Sequence, residues 1–464
     1  MEATLRAVLV GVQLPDTSTE EHASSMAELG RLVHTLGYEV VGEVTQRRPR
    51  LSAGGVLGEG KLAELAEWTG GTGVVPQGPP RRIVTKARER WETVDEDEAP
   101  LAAPGPVDAD DSPSEAAPRE SRRADLIIVD HELSPSQARN LERATGVEVL
   151  DRTGVIVEIF HRHAQSREAR LQVEIARLNY LVPRMRETGG GDRQRGGIGG
   201  KGAGESALEL DRRKVRDRIA QLRADLVKLE SEQGTRRARR TDQLRVALVG
   251  YTNAGKSSLM RALTGSDVLV ADKLFATLDT TVRALHPESV PKVLVSDTVG
   301  FIKKLPHDLV ASFRSTLDEA HEASLLLLVV DCSDATFRQQ LEVTREVLAE
   351  IGADTVPTQL LLNKVDRVDA ATREALLVEF PGALALSAKR PDDVAALHAH
   401  IVSAFDDGLV EAELFLPWSN AGLLGEVHAR TRVVEESHED EGVRLRVKGR
   451  AADVHRLQAR QRGQ

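Results

Sequence analysis

The stretch GYTNAGKSSLMRALTG opens at Gly250 and sets Gly250, Gly255, Lys256 and Ser257 at the spacing G-x-x-x-x-G-K-[ST]. Residues so spaced hold phosphate. Backbone N–H groups can converge on phosphate oxygens where glycine leaves no Cβ in the way, and the positive end of a following helix adds to the attraction. Tyr251, Thr252, Asn253 and Ala254 fill the loop, Lys256 is expected to neutralise the β- and γ-phosphates, and Ser257 to ligate Mg²⁺. The apolar run LRVALVG before the loop and the amphipathic stretch after it supply the strand, loop and helix that the motif requires.

Two further apolar runs end in residues of matching chemistry. VLVSDTVG ends in Asp297, Thr298, Val299 and Gly300, a D-x-x-G arrangement in which the carboxylate holds Mg²⁺ through water and the glycine N–H reaches the γ-phosphate. TQLLLNKVD ends in Asn363, Lys364, Val365 and Asp366. A carboxylate there accepts two hydrogen bonds from the ring N–H and exocyclic amine of guanine, a donor pair that adenine lacks, so GTP is expected over ATP. Ser387, Ala388 and Lys389, after GALAL, are placed to offer a backbone donor to the guanine oxygen. The reaction expected is GTP plus water to GDP plus phosphate, with Lys256 and Gly300 acting on the phosphates. Phe301 follows the D-x-x-G motif where a water-orienting glutamine is common. It has no group to hold water, so intrinsic hydrolysis should be slow and a bound partner, or another group, must place the nucleophile. His307 is one candidate for that group, with capping or packing as its other reading.

A second glycine loop, GGGDRQRGGIGGKGAGE, holds nine glycines between Gly189 and Glu205, and its GIGGKG fits a dinucleotide-binding turn. That match is coincidental, because it follows a helical stretch and not a strand. Leu171, Ile175, Leu178 and Leu181 or Val182 precede the loop at three- and four-residue steps; Leu208, Val215, Ile219, Leu222, Leu226 and Leu229 follow it. The spacing predicts two helices joined by the loop, with most arginines off the apolar seam. From His161 to Arg245 the chain has 21 Lys and Arg against 12 Asp and Glu, hence +9, while the whole chain carries −10 and the remainder therefore −19. This asymmetry points to a polyanion-binding segment, with Arg193, Arg195, Gly197, Gly199, Lys201 and Gly202 as candidate RNA contacts.

The elements around these motifs divide 464 residues into four expected parts. Residues 1–160 alternate apolar and amphipathic stretches, which predicts an α/β domain. An acidic, Pro- and Ala-rich segment near 77–124 interrupts it and cannot bury a core, so disorder is expected there. GEGK at Gly58–Lys61 is either a turn and helix start or part of a second nucleotide site. Residues 161–240 form the basic hairpin, ending in RRARR as a linker; 241–406 form the GTPase domain; 407–464 form a small α/β domain. The fold class is thus multidomain α/β with a mostly parallel sheet in the GTPase part. The longest apolar run, ASLLLLVV, is far shorter than the roughly 20 residues of a membrane helix, so no membrane span is expected. No secretory signal is apparent, and one cysteine, Cys332, fits a reducing cytosol as a packed strand-end residue.

With LGEGK, LSPSQARNLE, DRTG, the glycine loop, GYTNAGKS, FATLDTT and DTVGFIKKLPHDLV, the chain resembles the HflX family over nearly its whole length outside the acidic segment. The resemblance implies a monomeric, cytoplasmic GTPase that binds GTP and GDP and the large ribosomal subunit and its RNA, with peripheral membrane association left open. It implies that such a GTPase separates stalled or stressed ribosomes into subunits. A GTP-gated RNA-binding regulatory or assembly factor without that activity shares every motif. By resemblance Phe275, Ala276, Thr277, Leu278 and Asp279 belong to the nucleotide site, with Thr277 closing on Mg²⁺ and γ-phosphate; Thr280 and Thr281 are the alternatives. Asn253 stands where relatives assisted by K⁺ place an asparagine. The family tip is close to GGIGxxGPGE, and here Ala203 replaces the proline.

Overall fold

The computed structural model describes residues 4–51, 56–75, 123–185, 207–238, 243–265, 274–275, 281–303, 319–406 and 408–461. Two compact units divide the chain, Met1–Arg162 with Leu171–Ala224, and His163–Arg170 with Asp225–Gln464.

In the first unit β1 (Arg6–Gln13), β2 (Glu39–Arg47), β3 (Leu126–Val129) and β4 (Glu148–Asp151) make a parallel sheet in the order β2-β1-β3-β4. Parallel neighbours need crossovers, here made with the helices Thr19–Thr35, Glu59–Thr69 and Pro135–Thr145. The central strands are buried on both faces, which is why AVLV and LIIV are continuously apolar. Ser18 and Ser134 each close a capping box, with Glu21 and Gln137, and Pro135 takes the first helical turn. Gly58 caps the helix Glu59–Thr69; its N–H bonds to Gln46 Oε1 at 2.8 Å, and Lys61 pairs with Glu64 at 2.7 Å. At GEGK, then, the chain makes a turn and a helix start.

The helix Arg152–His163 leaves β4 directly. Arg152, 2% exposed, pairs with Asp130 at 2.8 Å and with Glu28, and Ser25 Oγ donates to Asp130 at 2.6 Å. A buried cation needs such carboxylates, because stripping its water costs several kcal/mol on the order of the Coulomb gain.

The hairpin helices are Arg167–Leu181 and Ala207–Ala238. Arg218 pairs with Glu174 at 3.0 Å and Arg212 donates to Met185 O at 3.4 Å, so the two run antiparallel. Val173, Ile175, Ala176, Ile219 and Leu222 are the buried seam, while Leu171, Leu178, Val215 and Leu226 are half-buried. Arg213, Lys214, Arg216 and Arg223 are exposed, as expected from the spacing. RRARR departs from a linker, since the helix continues to Ala238 and takes in Arg236 and Arg237. The loop at 189–205 and the acidic segment up to residue 122 lie outside the described residues.

In the second unit β5 (Leu244–Gly250), β6 (Thr281–Ala284), β7 (Val293–Asp297), β8 (Leu325–Asp331), β9 (Thr358–Asn363) and β10 (Leu384–Ala385) pair in the order β10-β9-β8-β5-β7-β6. All neighbours are parallel except β6 with β7. Val246 and Leu248 pack with the helices Lys256–Thr264 and Pro391–Asp406 on one face; Ala247 and Val249 pack with Phe337–Glu350 on the other. The run ASLLLLVV carries β8, whose first six residues are buried. β11 (Val410–Pro417), β12 (Arg432–Glu439) and β13 (Gly442–Gly449) form an antiparallel sheet in the order β11-β13-β12, covered by the helices Leu424–Arg430 and Ala451–Gln461. No described helix is long and apolar enough to cross a membrane.

Candidate nucleotide site

Parallel strands deliver their carboxyl ends to one edge of the sheet, and β5, β7, β8 and β9 end there in Gly250, Asp297, Asp331 and Asn363. Gly255 caps the helix Lys256–Thr264 at φ 99°, where a Cβ would stand 2.3 Å from Asn363 Nδ2. Only glycine fits that turn. The Lys256 ammonium donates to Gly250 O at 3.0 Å and Tyr251 O at 2.9 Å. Burial lowers its pKa to about 8, against the opposing pull of Asp297.

Ser257 Oγ donates to Asp297 Oδ2 at 2.8 Å, which brings together two of the residues expected around Mg²⁺. Among the described residues no group of three His, Cys, Asp or Glu is placed to hold a metal. A hydroxyl and a carboxylate are hard oxygen donors, and they fit an ion that keeps waters and phosphate oxygens as its other ligands. Gly300 lies against the loop, where a Cβ would come 2.9 Å from Thr252 Cα and 3.0 Å from Lys256 Nζ. Thr298 Oγ1 donates to Leu248 O at 2.7 Å, and Val299 is buried.

Phe301 is packed into the core with Ala247, Val249 and Leu328 at 1% exposure. Its N–H donates to Gly250 O at 3.1 Å and its carbonyl accepts from Thr252 N at 2.8 Å. The side chain that replaces glutamine therefore points away from phosphate chemistry, while its backbone is bolted to the phosphate loop.

The residues expected to read the base converge through one asparagine. Asn363 Nδ2 donates to Ala254 O at 2.8 Å, and its Oδ1 accepts from Ala388 N at 3.2 Å. Lys364, at φ 63°, reaches back to Asn253 O at 2.8 Å and to Asp331 Oδ2 at 2.7 Å. Val365, buried, begins a single 3₁₀ turn that carries Asp366. Ser387 Oγ donates to Asp366 Oδ1 at 2.6 Å, and this bond, first among the causes, holds the Asp366 carboxyl below its usual pKa. Ser387 N donates to Asp393 Oδ2 at 2.8 Å and Lys389 N to Ser387 Oγ at 3.3 Å. The three loops thus meet at one corner with an ionised carboxylate open to a base.

Asp331 and Asp393 act in this corner beyond the motif letters, and of the two only Asp331 has a signal, an acid closing an apolar run. Cys332 is buried after β8, and burial pushes its thiol up to about 11. Phe275 is buried with φ 57°. Thr281 opens β6, its backbone paired with Asp297. Ala276, Thr277, Leu278, Asp279, Thr280 and His307 lie outside the described residues, as do Arg193, Arg195, Gly197, Gly199, Lys201 and Gly202.

Three family descriptions match the chain in order: "GTP-binding GTPase N-terminal" over 23–75 and 115–161, "GTP-binding GTPase Middle Region" over 163–240, and "50S ribosome-binding GTPase" over 245–364. A GTPase HflX of Gluconacetobacter diazotrophicus is 60% identical over 453 residues, covering 97% of this chain and 96% of that one. The chain belongs to the HflX family of GTPases. The GTPase HflX of Escherichia coli is 39% identical over 345 residues, covering 72% of this chain and 80% of that one. A crystal structure of a GTP-binding protein from Sulfolobus solfataricus in complex with GDP is 23% identical at a TM-score of 0.40, covering 86% of this chain and all of that one. This HflX-family chain is accordingly a multidomain α/β protein and a GTP hydrolase.

Proposed function

We propose that this GTPase binds the large ribosomal subunit through its basic hairpin and glycine-rich loop, and uses GTP binding and hydrolysis to part stalled or stressed ribosomes into subunits. The observation that carries the reading is the pairing of two features in one chain. Gly250–Ser257, Asp297–Gly300, Asn363–Asp366 and Ser387–Lys389 are assembled at one sheet edge, and the hairpin turns Arg213, Lys214, Arg216 and Arg223 to solvent. Cations on an outer helix face suit RNA phosphates, and a glycine tip permits close approach.

In the site, the backbone from Tyr251 to Gly255 cradles the phosphates, Lys256 neutralises them, Gly300 reports the γ-phosphate, and Phe275–Asp279 contribute to nucleotide binding. Asn363 and Lys364 brace the loop while Asp366, with Ser387–Lys389, reads guanine. Ser257, Thr277 and Asp297, the last through water, would hold Mg²⁺, which when bound supplies charge neutralisation at the phosphates. Asn253 is the residue placed for K⁺. Since Phe301 offers no hold on water, the subunit supplies the order that speeds hydrolysis. The parts 1–160, 161–240, 241–406 and 407–464 serve as N-terminal domain, hairpin, switch and C-terminal module of a cytoplasmic monomer.

Ribosome profiles with GTP, with a non-hydrolysable analogue and without nucleotide test the reading. Loss of intact ribosomes in the nucleotide arms supports it. Binding without separation would favour a GTP-gated RNA-binding assembly factor instead.

A further inference from the structure

The D-R-T-G run at Asp151–Gly154 lies outside the nucleotide motifs, and Asp151 and Gly154 meet the loop end of the first hairpin helix. Asp151 ends β4 with its carboxylate 1% exposed. Four donors meet it. Two come from its own domain, Leu133 N at 3.0 Å and Gly154 N at 2.8 Å. The others come from the end of the first hairpin helix and the turn that follows, Tyr180 Oη at 3.0 Å and Arg184 Nη2 at 2.7 Å. Arg184 also donates to Tyr180 O at 2.9 Å and Leu133 O at 3.0 Å, and its guanidinium lies 3.7 Å from the centre of the Tyr180 ring. A Cβ on Gly154 would stand 2.5 Å from Tyr180 Oη, so the glycine is what lets the ring lie down. From the returning helix, Arg212 holds Met185 O at 3.4 Å.

We propose that Asp151, Gly154, Tyr180 and Arg184 form a socket that fixes the direction in which the chain leaves the hairpin after Met185, and so aims the glycine-rich loop at its RNA. The inference rests on the reading above, that this loop contacts the large subunit. Asp151 and Arg184 are positioning residues. A buried carboxylate with four donors and a planar guanidinium stacked on a ring tolerate few geometries, which makes a rigid base for a glycine-rich tip. A tip borne on a fixed base loses less freedom on binding than one on a loose base. The same socket explains why the acid and glycine of one run belong together with a tyrosine and an arginine about thirty residues on.

The test uses the full chain and purified large subunits. Arg184→Ala removes three hydrogen bonds, to Asp151, Tyr180 O and Leu133 O, while leaving Asp151 three donors, and the fold is expected to be retained. Gly154→Ala, a change at a buried backbone position, displaces the half-buried Tyr180 ring without altering a basic side chain. Both are expected to raise the apparent KM for subunits in stimulated GTP hydrolysis about tenfold, with kcat and GTP affinity within about twofold, and Arg184→Lys should recover part of the loss. Deleting residues 196–204 serves as reference and should abolish stimulation. If the deletion abolishes stimulation while both substitutions keep the wild-type KM and merely melt earlier, the socket is only packing and the inference is overturned, with the loop reading intact. Should the deletion itself leave subunit binding unchanged, the loop reading falls and the inference with it.

Discussion

The hydroxyl of Tyr251 accepts a hydrogen bond from the backbone N–H of Lys303 at 2.7 Å. Together with Phe301, which exchanges backbone bonds with Gly250 and Thr252, it clips the segment after D-x-x-G to the phosphate loop at three points. A movement of one segment is thereby a movement of the other, which is how the γ-phosphate contact proposed for Gly300 would be transmitted along the chain.

Tyr251→Phe removes one clip and keeps the ring. GTP affinity should stay within about twofold, since the loop backbone is unchanged, while hydrolysis stimulated by large subunits should fall several-fold, in line with a lost hydrogen bond of about 1 kcal/mol. Stopped-flow nucleotide binding alongside stimulated turnover separates the two. Equal loss in both would show that the clip serves binding alone.

Restoring glutamine at the position after D-x-x-G should not restore fast hydrolysis. Phe301 is packed among Ala247, Val249 and Leu328, so Phe301→Gln leaves a hole and buries an amide in an apolar core. A cost of about 3 kcal/mol is expected from core truncation and polar burial together. Denaturant unfolding should show the lost stability, and single-turnover hydrolysis without subunits should show no gain.

The candidate nucleotide site is legible because glycines, a lysine and acids at fixed spacings answer to backbone geometry and charge, and those demands appear in the letters themselves. Phe301 was half legible. Its lack of a polar group is plain in the sequence, but the occupation of both its backbone groups by the loop some fifty residues upstream depends on sheet order. β6 gave no pattern, since the four residues TVRA are largely half-buried and owe their strand to antiparallel pairing with β7. The helical course of Arg236 and Arg237 was hidden by charge, because a basic run resembles a linker until its helix is followed inward. Asp151 could be recognised as a motif letter but not explained, because its partners Tyr180 and Arg184 come from another element.

Lys256 should make GTP affinity pH-dependent. Without phosphate its pKa is lowered to about 8, and phosphate oxygens beside the ammonium must raise it. The bound form then holds the extra proton between pH 8 and the raised value, so affinity is fully present below about pH 8 and falls above it, by up to about tenfold per pH unit. Titration calorimetry from pH 7 to pH 9.5 would record the slope as proton uptake. Lys256→Arg keeps its charge throughout and should bind more weakly at a level free of that slope, whereas any titration of the nucleotide would persist in both proteins. An identical slope in the variant would remove Lys256 as its source.

Asp366 offers the sharpest test of base recognition. Its carboxylate is kept ionised by the Ser387 hydroxyl at 2.6 Å, and it stands beside the Ser387–Lys389 backbone at the corner that Asn363 ties together. Guanine presents two donors at that edge, and two acceptor oxygens on one carboxylate match them. Xanthine carries a carbonyl where guanine carries the amine, so Asp366→Asn, which exchanges one acceptor for an amide donor, reverses the match. GTP binding should weaken by about a hundredfold or more, a loss of about 3 kcal/mol expected when a charged hydrogen-bond pair is broken and a donor left facing a donor. Xanthosine triphosphate should bind the variant better than the wild type. Ser387→Ala tests the support behind it: the carboxylate remains, so specificity for guanine should survive with an affinity lowered only several-fold. Competition binding with GTP, ATP and xanthosine triphosphate measures all three, and retention of GTP preference by Asp366→Asn would mean that another residue reads the base.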